Sequence, residues 1–132
     1  TDDANTTGGN DALPTLINQI IIAQGAGNDI ATWTQAIAGA QLSDGTNTQT
    51  GTINGTNITF SSISTAASAL GNITDGNSKT YTLRIWLNTS LGGTLPTTID
   101  GLNLAFKIDR SNFTAASSAT STQFESGAGT SV

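Results

Sequence analysis

Residues 81–88, Tyr-Thr-Leu-Arg-Ile-Trp-Leu-Asn, decide the fold class. In an extended chain, Tyr81, Leu83, Ile85 and Leu87 fall on one side and Thr82, Arg84 and Trp86 on the other, the period-two pattern of a strand with one face on a core. Gly92, Gly93 and Pro96 end it, because proline cannot donate to a ladder and glycine offers nothing to pack. Downstream, Leu102 to Asp109 repeats the alternation with Leu102, Leu104, Phe106 and Ile108 inward and Asn103, Ala105, Lys107 and Asp109 wet. Upstream, within Thr56 to Ser61, Ile58 and Phe60 alternate with Asn57 and Thr59, again a half-buried strand.

Further upstream, Thr15 to Gln24 reads TLINQIIIAQ, with Ile17, Ile21 and Ala23 on one face and Leu16, Ile20 and Ile22 on the other. Apolar groups pointing both ways require cover on both sides. Between these strands, Gly25 to Asp29 is turn chemistry, and Asn28 or Asp29 caps an expected helix over residues 30–39, where Ile30, Trp33 and Ile37 share a side. Leu42 to Gly55 supplies Thr, Asn and Gly with one Ile. A second short helix is expected after Ser61 or Ser62, with Ile63, Ala66, Ala67 and Leu70 on one face and Gly71 closing it. The sum is a mainly β, antiparallel sandwich, jelly-roll-like, with one or two short connecting helices. Its organisation is a flexible arm at 1–12, a sandwich domain at 13–113 and a polar tail at 114–132 with at most an edge strand around Thr122 to Glu125.

A length of 132 residues holds one domain. Thr, Gly, Ser and Asn make up nearly half of it, and Leu, Ile, Val and Phe about a fifth, so the core is thin. Four basic residues against nine acidic ones exclude the phosphate-neutralising surface of a nucleic-acid binder and disfavour an anionic membrane. With no His and no Cys, imidazole bases, thiolate nucleophiles and nearly every zinc site are removed. No apolar run approaches the length of a spanning helix. Thr1 in place of an initiator Met, together with the sparsely charged polar composition, leads to the expectation of a processed, secreted chain.

Six asparagines stand in N-x-S/T: Asn5, Asn54, Asn57, Asn72, Asn88 and Asn112. Their placement in turns, at strand ends and on a polar strand face favours N-linked glycans over chance. The carboxylates are scattered, and only Asp2-Asp3 pairs two of them, so the two-carboxyl cleft of a glycosidase has no basis and no enzyme is expected. Asp44-Gly45-Thr46-Asn47 and Asp75-Gly76-Asn77 bring oxygen ligands together, which makes Asp44 and Asp75 weak calcium candidates, although the same residues make good turns unaided. Lys79 and Lys107 have the chemistry for isopeptide bonds to Asn or Asp, but lysines on strands are more often simply solvated.

A thin core and a doubly apolar strand behind a polar arm make a poor stand-alone domain. Two readings of Thr15 to Gln24 stand side by side. It is the central strand of its own sheet, or it inserts into a neighbour's sheet with Leu16, Ile17, Ile20, Ile21 and Ile22 as anchors, Leu83, Ile85, Leu87, Leu104 and Phe106 lining the accepting core. Head-to-tail insertion does not close and therefore grows a homopolymer. A different class remains open: a surface or carbohydrate-binding module with Trp33 and Trp86 as platforms.

Asn72 to Asp109 resembles the C-terminal half of the TasA and camelysin group of secreted β-sandwich proteins. Lys79-Thr80-Tyr81 leads into a strand ending Ile85-Trp86-Leu87, followed by a Gly-bearing loop and Leu104-Ala105-Phe106. Leu13, Ile17 and Ile21, the Trp33 segment and Ile63 to Leu70 follow a similar order, so the resemblance spans about residues 13–109. The family's first strand and its Pro-Gly-bearing loop have no counterpart, and its closing F-x-A-x-Q pattern is blurred into Phe106-Lys107-Ile108-Asp109. The resemblance implies an extracellular fibre subunit, as in archaeal bundling pili, threads and cannulae, polymerising by donor-strand exchange. A zinc protease activity, also described in that group, has no residues here: there is no His and hence no H-E-x-x-H.

Overall fold

The computed structural model describes residues 14–65, 68–74, 76–89, 99 and 101–108, with the backbone alone of 113–115. Nine strands follow along them: β1 (Thr15–Gln24), β2 (Ile37–Ser43), β3 (Thr48–Thr50), β4 (Thr52–Ile53), β5 (Asn57–Ser61), β6 (Asn72–Ile73), β7 (Thr82–Leu87), β8 (Phe106–Lys107) and β9 (Phe113–Ala115). Every pairing is antiparallel. One sheet runs β4-β5-β1-β6, with β8 and β9 also bonded to β1, and the other runs β3-β2-β7. The chain is mainly β, and its two sheets pack against each other as in a sandwich.

β1 is central to the larger sheet, and a register shift reconciles its two apolar faces with one core. Against β9, Ile17 faces Ala115 and Gln19 faces Thr114, leaving Asn18 as the extra residue. A bulge of this kind moves the following side chains to the other face. Ile17, Ile20 and Ile22 are all buried in consequence, while Leu16 and Ile21 are half-buried. The bulged Asn18 is held by Ile63, whose N–H donates to its carbonyl at 3.1 Å, and by Ser64 Oγ, which donates to its Oδ1 at 3.2 Å.

The helix expected over 30–39 is not formed. A single 3-10 turn, Trp33–Gln35, is followed directly by strand β2. Ile37 faces Leu87 and Gly39 faces Trp86, so Ala38 is a second extra residue. Ile37 and Ala40 therefore both point inward three positions apart, a spacing that imitates a helical face. The helix expected after Ser62 is likewise absent from the described residues of that segment. The described residues on either side of 66–67 run in turns and bends, with Ser62 and Ala69 at positive φ, a conformation no helix propagates. Gly71 then meets β1, its carbonyl accepting from the Ile17 N–H at 2.8 Å. A Cβ at Gly71 would collide with the Ile17 carbonyl oxygen.

The closed core consists of Ile20, Ile22, Trp33, Ile58, Phe60, Ile63 and Leu70, all fully buried. Trp33 stacks at a tilt on Phe106, ring centroids 5.0 Å apart, and its Nε1 donates to Asn28 Oδ1 at 2.9 Å. The strand expected over Leu102 to Asp109 shrinks to Phe106–Lys107. Ahead of it, the Ala105 carbonyl accepts from the Gly25 N–H and the Asn103 carbonyl from the Asp29 N–H. These bonds tie the segment to the β1–β2 connection, and Leu102, expected inward, is exposed. Asp109, the arm at 1–12 and the edge strand expected around Thr122 to Glu125 lie outside the described residues.

Candidate functional site

The residues expected to line an accepting core are only partly covered. Leu83, Ile85, Leu104 and Phe106 are half-buried and packed against the closed core, and Leu87 is 53% exposed. Leu83, Ile85 and Leu87 belong to β7, which among the described residues pairs on one side only, with β2. An unpaired strand edge presents a row of free N–H and C=O groups, a template for another strand. Arg84 and Trp86 project from the opposite face of β7, and Trp86 is 49% exposed.

Trp86 owes its position to Gly39, a residue that sequence reasoning passed over. Gly39 faces it across the β2–β7 pair, and a Cβ there would stand 3.2 Å from Trp86 Cε3. The indole lies over a glycine and stays open to solvent, whereas Trp33, the other platform expected from the sequence, is wholly buried and unavailable to any ligand. The residues expected as donor anchors, Leu16, Ile17, Ile20, Ile21 and Ile22, sit in β1 and pair within their own chain. Of the two readings of Thr15 to Gln24, this is the arrangement of a central strand.

At one end of β7 the two sheets are joined by charge. Lys79 Nζ lies 2.9 Å from Asp44 Oδ2 and donates to the carbonyls of Ala69 and Leu70 at 3.0 and 3.2 Å. The Tyr81 hydroxyl donates to the same Leu70 carbonyl at 2.8 Å. Asp44 sits in the β2–β3 turn, where its Oδ1 accepts from the N–H groups of Thr46 and Asn47 at 3.0 and 2.7 Å, the side-chain turn that Asp favours. Burial pushes the Asp44 carboxyl up, but the Asn47 N–H, the Lys79 ammonium and the Thr46 N–H outweigh it and hold the group well below the usual carboxylate range. Burial, and then the Asp44 charge, push the Tyr81 hydroxyl up to about 12. The Asp-Gly-Thr-Asn turn was legible; its partner Lys79 and the Tyr81 hydroxyl had no local signal.

These contacts bear on the calcium and cross-link candidates. The Asp44 oxygens are engaged by protein donors, Asn47 Nδ2 reaching Oδ2 at 3.2 Å in addition; Asp75 is outside the described residues. Among the described residues no three His, Cys, Asp or Glu side chains gather. Lys79 is bound as an ammonium to three oxygens, the geometry of an ion pair.

Four sequons fall within the described residues, and their surroundings differ. Asn54 is exposed in the turn between β4 and β5, with Asn57 half-buried beside it. Asn72 is half-buried, its Oδ1 enclosed without a partner. Asn88 is half-buried and its Nδ2 donates to the Gln35 carbonyl at 2.7 Å. Asn5 and Asn112 lie outside the described residues.

No helix among the described residues is long and apolar enough to cross a membrane. No family model matches the chain, and neither a curated protein nor a solved structure does.

Proposed function

We propose that this chain is a structural subunit of an extracellular filament or tubule, a homopolymer assembled head to tail by strand complementation. The observation that carries the proposal is the edge of β7 that no described strand pairs, on a strand whose Leu83 and Ile85 are half-covered and whose Trp86 and Leu87 are exposed. A long apolar edge left unpaired invites aggregation; a strand from a second copy would cover it, with main-chain hydrogen bonds for affinity and the β7 side chains for specificity. The role is mechanical, since separating two subunits would break a ladder and bare that edge. The sequons and the sparsely charged surface suit an extracellular setting, with N-linked glycans and no catalysis. Calcium, if it takes part, would bind outside the Asp44 turn, whose oxygens are already engaged.

Electron microscopy of the purified protein tests this. Regular filaments or tubes are expected, and dispersed monomers at high concentration, with and without calcium, overturn it. Trp86 over Gly39 favours a second reading, a carbohydrate-binding surface. Because Trp33 is buried, a shift of tryptophan emission on adding glycans would report on Trp86 and favour that reading.

A further inference from the structure

Any strand added to the β7 edge would be specified by the edge itself. The Asn88 N–H donates to the Ala36 carbonyl at 2.9 Å, toward β2. Backbone groups of successive strand residues turn to alternate edges, so Thr82, Arg84 and Trp86 bond β2 while Leu83, Ile85 and Leu87 direct their N–H and C=O groups outward. The far side of the sheet agrees. Ala40 faces Ile85, but its carbonyl accepts from the Gly51 N–H at 2.9 Å, away from β7. An incoming strand must therefore meet Leu83, Ile85 and Leu87 as hydrogen-bonded pairs. It must also place an apolar residue on their inward face and an acidic one opposite Arg84 on the wet face.

Outside the described residues, the chain has one sequence that meets these demands. The arm at 1–12 carries nothing larger than Ala on an apolar face. In the C-terminal segment, Thr122, Phe124 and Ser126 alternate with Gln123 and Glu125; Phe124 is its one aromatic residue and Glu125 the only glutamate of the chain. We infer, on the strength of the polymer reading above, that residues 122–126 of a second copy add antiparallel to β7, with Phe124 opposite Ile85 and Glu125 opposite Arg84. In this register Thr122 and Ser126 meet Leu87 and Leu83, and Gln123 lies opposite Trp86. The Arg84–Glu125 pair falls at a non-hydrogen-bonded position, where facing side chains are closest and opposite charges attract. A slip by one residue would turn Phe124 to solvent.

The direction of the strand assigns it to a second copy. β9 ends with Ala115 opposite Ile17. Ile17 is bonded to Gly71, and the neighbouring Leu70 carbonyl holds Tyr81. The chain thus leaves β9 at the end of the sandwich where β7 begins, and running on from there it would lie parallel to β7. A tail from another copy enters antiparallel from the opposite end, and because each copy then gives its tail and receives another, the contact is head to tail and open.

The chain has no cysteine, so disulfide trapping reads the register directly. Thr82 and residue 127 would face each other in a non-hydrogen-bonded pair, whose spacing of about 4.5 Å suits a disulfide. Full-length protein carrying Thr82→Cys is mixed with protein carrying Gly127→Cys under mild oxidation. A covalent dimer is expected, at least about tenfold above the yield with Gln123→Cys in place of Gly127→Cys, since residue 123 would stand four positions along the strand, about 13 Å away. Equal yields, or none, overturn the register. In the chain bearing both Thr82→Cys and Gly127→Cys, a covalent ladder is expected, and an oxidised monomer overturns the second-copy assignment. Glu125→Arg should abolish filaments in electron micrographs and Arg84→Glu with Glu125→Arg should restore them. Filaments that persist without the Thr82–Gly127 cross-link would overturn this donor and leave the polymer reading standing, whereas wild-type protein that forms no filaments fails that reading itself.

Discussion

Lys79 Nζ and Asp44 Oδ2, 2.9 Å apart, fasten the two sheets at the entrance of β7. Asp44 belongs to the turn that closes β2 and β3, and its side chain is only 5% exposed. Through the same ammonium, Lys79 reaches the Ala69 and Leu70 carbonyls just ahead of β6. A paired charge that is largely desolvated tolerates loss of both partners better than loss of one. Asp44→Ala, which leaves the ammonium without its counter-ion, is expected to cost about 2–3 kcal/mol of unfolding free energy, less than a fully buried pair because Lys79 remains partly solvated. Lys79→Met should cost less, since the Asp44 carboxylate keeps the two backbone donors of its own turn. The double variant should lose clearly less than the sum. Urea denaturation of the four proteins checks this, and strict additivity would refute a coupled clamp.

The same cluster sets the pH limits of stability. Unfolded, Asp44 takes up its proton near the ordinary 3.8, while the folded chain holds the carboxylate charged into stronger acid. Its contribution is full above 3.8 and is lost as the pH falls through that value and below. Tyr81 acts at the other extreme. Its hydroxyl titrates at 10.0 in the unfolded chain and about 12 when folded, so its contribution is full below pH 10 and is lost as pH rises between 10 and 12. Melting temperatures measured across this range should decline at both ends, with Tyr81→Phe removing most of the alkaline decline and Asp44→Asn flattening part of the acid one. Tyr81 is the only tyrosine, so its ultraviolet absorbance follows the ionisation directly; a midpoint near 10 in the folded protein would contradict the placement of its hydroxyl on the Leu70 carbonyl.

The strands legible in the sequence are those whose alternation runs unbroken. In β5 Ile58 and Phe60 are buried as read, and in β7 Leu83 and Ile85 turn inward because each side chain simply takes the next face, but Leu87, read onto that same face, is 53% exposed at the strand's end. β1 and β2 misled because each carries an extra residue. At Asn18 and Ala38 the face changes, so buried residues stand three apart and the pattern reads as two-faced in one case and helical in the other. Nothing local marks such a bulge, because it answers to the strands alongside. The edge of β7 was half legible: Leu83, Ile85 and Leu87 could be placed on one face, but that β7 pairs, among the described residues, with β2 alone follows from topology. The Lys79–Asp44 clamp joins residues on different strands and had no spacing to betray it, while Gly39, the seat of Trp86, acquires its meaning only across the β2–β7 pair.

Glycan attachment should discriminate among the sequons by the state of each amide. Asn54 stands exposed on a hairpin turn, its Nδ2 donating to the Asn57 side chain at 2.8 Å in full solvent contact, a bond of little net worth that a transferase can displace. The Asn88 Nδ2 instead holds the Gln35 carbonyl at 2.7 Å, and the Asn88 N–H holds the Ala36 carbonyl at 2.9 Å, so this residue pins the 3-10 turn under which Trp33 is buried. A sugar on that nitrogen would have to undo the turn. Asn72 is the start of β6 and keeps its Oδ1 enclosed. Glycopeptide mass spectrometry of protein from its native source should therefore find occupancy highest at Asn54 and lowest at Asn72 and Asn88. Asn54→Gln should remove glycan mass with little change in stability, whereas Asn88→Gln should leave the mass nearly unchanged and lower stability by about 1 kcal/mol through the loosened turn. Occupancy at Asn88 equal to that at Asn54 would mean that the chain is modified before this turn forms, and the ordering by folded-state accessibility would fall.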